Sequence, residues 1–120
     1  MKTKTFLSLL LVAGLVSAPA IAHPRLLAAG PIPGSVVKKS PETIRIQFSE
    51  GIELKFSGIV LKDAKGEVQD LSPPAVSADK KIMTVLVVPV LPPGKYTVEW
   101  HALGDDTHPQ KGNYKFEIKP

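Results

Sequence analysis

The chain predicts an all-β fold, a Greek-key β-sandwich or small barrel of about seven strands, and three observations carry that prediction. Apolar residues recur at every second position in several short stretches, and no stretch sustains a helical period. Twelve prolines and nine glycines punctuate the chain at short intervals, which suits short strands with tight connections and discourages long helices. Once residues 1–22 are set aside as a leader, 98 of the 120 residues remain, a length that suits one domain.

The leader comes first. Met1-Lys2-Thr3-Lys4 is basic, Phe6 to Val16 is an apolar run, and Ala20-Ile21-Ala22 is an A-x-A cleavage site, together the pattern of a secretory signal peptide. The run is shorter than the roughly 20 residues that a membrane-spanning helix needs, so the chain is not expected to span a membrane. The expected organisation is a cleaved signal peptide over 1–22 and one β-domain over 23–120.

Within that domain, Leu26-Leu27-Ala28-Ala29 makes a first strand that tethers His23 to the domain edge. Thr43 to Phe48 places Ile44, Ile46 and Phe48 on one face and Arg45 and Gln47 on the other. Tyr96 to Trp100 alternates in the same way, as do Tyr114, Phe116 and Ile118 against Lys115, Glu117 and Lys119; these are half-buried antiparallel strands. Ile59-Val60-Leu61 and Ile82 to Val88 are denser apolar runs, and more complete burial is expected of them. Turn signals lie between: Pro31 to Gly34, Ala64 to Glu67, Ser72-Pro73-Pro74, Pro92-Pro93-Gly94 and Gly104-Asp105-Asp106.

Composition removes several function classes. The leader carries two of the 15 basic residues and none of the 11 acidic ones, so the net charge falls from +4 to +2 on cleavage. A weak positive balance with 6% aromatics lacks the clustered cations and stacking rings of a nucleic-acid surface. There is no cysteine, which excludes disulfides, zinc-thiolate sites, iron–sulfur clusters and the blue-copper site. Of two methionines only Met83 survives cleavage, and a lone thioether is core filler rather than a soft Cu(I) site. No Ser/His/Asp triad, phosphate-binding glycine loop or paired-carboxylate motif is present, and the chain is not expected to be an enzyme.

The three histidines carry the chemistry. Cleavage after Ala22 would make His23 the N-terminus, where its α-amine and imidazole can chelate one metal ion. His108 lies in Asp105-Asp106-Thr107-His108-Pro109, and Asp106 and His108, two apart, leave the same side of an extended backbone. Together with His23 they would supply three nitrogens and one oxygen, a set suited to tetragonal Cu(II). The same motif also reads as a polar hairpin tip, capped by carboxylates and ended by proline. Pro24 has no N–H, so a peptide-type copper site that uses the deprotonated amide after the N-terminus cannot form there. His101 alternates with Trp100: if the indole points inward, the imidazole points out.

His23-Pro24-Arg25-Leu26, Pro33-Gly34-Ser35, Phe48-Ser49-Glu50, Phe56-Ser57-Gly58, Pro93 to Trp100 and Asp106-Thr107-His108-Pro109 occur in that order, and the chain resembles the CopC-type periplasmic copper-resistance proteins from His23 to Lys119. The resemblance implies a seven-stranded Greek-key barrel, immunoglobulin- or cupredoxin-like, that binds one Cu(II) per mature chain at one end. Carried over by motif, the ligands are His23, Asp106 and His108. Glu50 matches a carboxylate at or near this site, a weak axial ligand or a neighbour of the ligands; it reads equally as an exposed carboxylate at a strand end. Members that also bind Cu(I) carry a methionine-rich loop, whereas Lys62 to Ser77 here holds no methionine, which favours a Cu(II)-only protein.

The implied function is sequestration or carriage of copper in the periplasm, with handover to a membrane copper transporter or another periplasmic copper protein. Two alternatives remain: a metal-free immunoglobulin-like module that binds a protein partner, and a copper oxidase built on an N-terminal histidine.

Overall fold

In a computed structural model, the residues described are Gly14, 23–105 and 107–120. The proposed leader (1–22, Gly14 apart) and Asp106 therefore lie outside the described residues. Among the described residues nine strands form in chain order: β1 (Leu26–Gly30), β2 (Val36–Val37), β3 (Thr43–Phe48), β4 (Gly58–Lys62), β5 (Val68–Gln69), β6 (Ala75–Val76), β7 (Ile82–Leu86), β8 (Gly94–Leu103) and β9 (Pro109–Ile118). One turn of 3-10 helix occupies Leu54–Phe56. The strands make two sheets, β1-β3-β7-β6 and β2-β9-β8-β4-β5. The chain crosses repeatedly from one sheet to the other, as in a Greek-key sandwich. All pairings are antiparallel except β2 with β9.

The alternating stretches fold as expected. Ile44, Ile46 and Phe48 of β3, Tyr96, Val98 and Ala102 of β8, and Tyr114, Phe116 and Ile118 of β9 turn inward and form the core with Leu61, Met83 and Val85. Met83 is fully buried and is core filler. The count exceeds seven because β2, β5 and β6 are two-residue pairings, too short to show a period. β9 starts at Pro109, ahead of its apolar alternation, because its register with β8 runs unbroken from Gly94↔Ile118 to Leu103↔Pro109.

One expectation is corrected. The Ile82–Val88 run is not completely buried: Met83 and Val85 face the core, while Leu86 is 55% and Val88 66% exposed. A two-layer sandwich covers each sheet on one face only, so an apolar run in β7 still alternates between core and solvent. β4 is intermediate, with Leu61 buried and Ile59 and Val60 half-buried.

A tyrosine corner secures β8. Tyr96 Oη donates to the Pro92 carbonyl at 2.6 Å, four residues upstream, and its ring stacks on Phe116 at 5.5 Å. Tyr114 is different: its Oη is buried and finds no hydrogen-bond partner among the described residues.

Candidate metal centre

Antiparallel pairing decides which segments share an end of the sandwich. Leu26 pairs with Phe48 in one sheet and Leu103 with Pro109 in the other, and bonds from the β3 exit to Leu103 and Gly104 put the start of β1, the end of β3 and the β8–β9 connection at one end. The connection from β3 to β4 crosses this end and is tied down there. Ile52 bridges Gly104, Glu53 N–H donates to the Leu103 carbonyl at 2.8 Å, and Ser57 Oγ accepts from Leu103 N–H at 3.1 Å.

His23 and His108 meet at this end. Their ring centroids are 5.5 Å apart and the rings lie nearly edge to face, at 73°. A ring bound through nitrogen at about 2.0 Å holds its centroid roughly 3 Å from the ion, so two rings on one ion lie roughly 4.5 Å (cis) to 6 Å (trans) apart. The observed spacing falls within that range and admits a shared ion. His23 is half-buried and His108 exposed, so an ion could reach the pair from solvent.

Local backbone explains why the two rings converge. Pro24 is fully buried and plugs the start of β1 into the domain. Beside it, Ser49 Oγ accepts from Arg25 N–H at 2.9 Å and donates to the His23 carbonyl at 3.3 Å. On the other side, Thr107 adopts φ +63°, a left-handed conformation unusual for a β-branched residue, while its N–H bonds to the Gly104 carbonyl at 3.1 Å. This sharp reversal immediately precedes His108. Strain of this kind persists only where surrounding structure over-determines it, and it concentrates at binding sites.

The remaining expectations divide. Glu50 is exposed in the connection that follows β3. No group of three or more His, Asp or Glu side chains placed to hold a metal forms among the described residues. Asp106, the other proposed carboxylate, lies outside them. His101 is exposed, as expected, and its ring lies over Gly58, where a Cβ would meet Cε1 at 2.8 Å. Trp100 is half-buried, edge-on to Phe48 at 5.3 Å. A groove of about 770 Å³ runs along β1 and the 37–43 connection, and no candidate ligand lines it. Ser49 and Thr107 were not legible as site residues: one acts through bonds across 24 positions of sequence, the other through a φ angle.

The CopC domain matches residues 26–119. The chain belongs to the CopC family. It is 39% identical over 111 residues to copper resistance protein C of Escherichia coli, covering 87% of each chain. It superposes on PcoC, a methionine-rich copper resistance protein from Escherichia coli, with a TM-score of 0.73 at 39% identity, over 82% of this chain and all of that one. It superposes on CopC from Methylosinus trichosporium OB3b with a TM-score of 0.76 at 30% identity, over 82% and 95% of the two chains. The family match spans His108 and begins three residues after His23. Unlike the methionine-rich relative, this CopC chain has two methionines, Met1 and the buried Met83.

Proposed function

We propose that the processed chain is a periplasmic copper-resistance protein that binds one Cu(II) and is not an enzyme. The observation that carries this reading is the pair of imidazoles, His23 and His108, held 5.5 Å apart at one end of a sandwich whose relatives are copper-resistance proteins. Cleavage after Ala22 adds the His23 α-amine. Asp106, two residues before His108, supplies an oxygen. Three nitrogens and an oxygen suit Cu(II) in tetragonal geometry, and the lack of cysteine and the burial of Met83 disfavour Cu(I). Glu50 serves as a neighbour that adds negative charge or as a weak axial ligand.

Each nitrogen must lose its proton to bind, so affinity falls on acidification. His108 on the exposed side leaves the ion accessible to an incoming ligand, which suits transfer to a membrane copper transporter or another periplasmic copper protein. The test is a Cu(II) titration of protein that begins at His23, followed by electron paramagnetic resonance. The expected outcome is one equivalent bound with a nitrogen-rich tetragonal signal that changes in Asp106→Ala; absence of a stoichiometric site would overturn the reading.

A further inference from the structure

The β1–β3 ladder should fail at its first residues. Pro24 has no N–H to give, and ahead of Leu26 the chain would hang His23 from a short unpaired tether. Ser49 closes that gap from both sides of the proline. Its Oγ accepts from Arg25 N–H at 2.9 Å and donates to the His23 carbonyl at 3.3 Å, while its own N–H donates to the Arg25 carbonyl at 2.8 Å. A hydroxyl can donate and accept at once, and serine does so in the least space. Alanine offers neither function, and an ionised aspartate only accepts, so it would face the His23 carbonyl with repulsion.

We propose that Ser49 is a positioning residue for copper: by clasping the chain on either side of Pro24 it holds the His23 carbonyl, and with it the α-amine and imidazole, in place before the ion arrives. This inference rests on the copper reading above. Ser49 itself need not touch the metal. Its contribution is preorganisation, because a ligand already held in place loses less freedom on binding. Partners that orient metal ligands typically change affinity by about 10- to 100-fold when removed. The Ser49 N–H bond to Arg25 belongs to the backbone and survives side-chain truncation, so the local pairing is retained in the variant.

Ser40 provides the matched control. Its Oγ also accepts a backbone N–H, from Leu91 at 2.9 Å, but in the connection that leaves β2 at the far end of the sandwich. The experiment uses the chain that begins at His23 and titrates Cu(II) against a competing chelator. It compares wild type, Ser49→Ala, Ser49→Thr and Ser40→Ala, with paramagnetic resonance spectra of each. The expected result is that Ser49→Ala weakens binding about tenfold or more with altered copper hyperfine parameters, that Ser49→Thr restores both, and that Ser40→Ala changes neither. Wild-type affinity and spectrum in Ser49→Ala would overturn the proposal alone, as would an equal loss in Ser40→Ala. A wild-type protein without a stoichiometric copper site would overturn the copper reading and this inference together.

Discussion

The two ends of the sandwich use the same fastenings to different effect. At the histidine end, Ser49 clasps the chain around Pro24 and Ser57 Oγ joins the Glu53 carbonyl to Leu103 N–H. At the far end, Ser40 Oγ holds Leu91 N–H, Asp63 accepts from Lys65 and Glu67 N–H, and Tyr96 Oη reaches back to Pro92. Both ends are therefore anchored by side chains bonded to backbone. Only one brings two imidazoles together, and among the described residues only there does a non-glycine residue directly before a candidate ligand take a left-handed φ. The far end exposes Val88 and Val90, and the histidine end exposes Leu54 and Phe56, so exposed apolar side chains do not tell the ends apart. Anchoring is thus a property of the fold, whereas convergence of candidate ligands and strain beside them mark the candidate site.

The largest effect that separates the ends is expected from Phe48→Ala. Phe48 is fully buried beneath the histidine end and lies against Trp100, so truncation should cost about 3–5 kcal/mol in denaturant unfolding and weaken Cu(II) binding as well. His108→Ala should do the reverse. Its side chain is exposed, so thermal stability should stay within about 0.5 kcal/mol of wild type, while Cu(II) affinity falls by at least about two orders of magnitude, on the scale of losing a direct ligand rather than its supporting partner.

Tyr96→Phe probes the far end alone. Loss of the bond to Pro92 should cost about 0.5–1.5 kcal/mol with copper affinity unchanged. A copper effect there would show that the ends are coupled and would break the comparison.

Tyr114→Phe is the smallest change near neutral pH, neutral or slightly stabilising, because the Oη has no hydrogen-bond partner among the described residues to lose. Its effect appears in alkali. Burial holds the Tyr114 phenol well above its ordinary range. As pH rises past about 10, the unfolded chain releases that proton while the folded one keeps it, so stability present below that pH is lost above it. The variant should lose part of this alkaline decline. Tyr96, whose pKa is raised by burial and then by the Asp63 charge, would account for some of what remains. Denaturant melts of both proteins at pH 8 and pH 11 measure the difference.

Much of this architecture was legible in the residue order, and what was not has identifiable causes. β3, β8 and the apolar part of β9 alternate cleanly because each has one face on the core and one in water. The Ile82–Val88 run misled because apolar density resembles two-sided burial, while the outer face of β7 has no layer to cover it. At the site, His23 and His108 stood out because imidazoles are few and one follows a cleavage motif. Ser49 did not, since serine is common and its partners are remote in sequence. Thr107 did not either, since nothing about threonine announces a left-handed φ. Ser49 depends on tertiary contacts that no local pattern encodes.

The central claim is that copper is held by a processed N-terminal histidine as well as by the loop histidine. Its most direct measurement is the Cu(II) affinity of protein that begins at His23, with the N-terminus verified by mass, against the same protein carrying one additional glycine before His23. The extra residue moves the α-amine away while leaving both imidazoles in place. The expected result is one tight equivalent in the authentic protein and at least about a hundredfold weaker binding in the extended form. Equal affinity and identical paramagnetic resonance spectra in the two forms would contradict it.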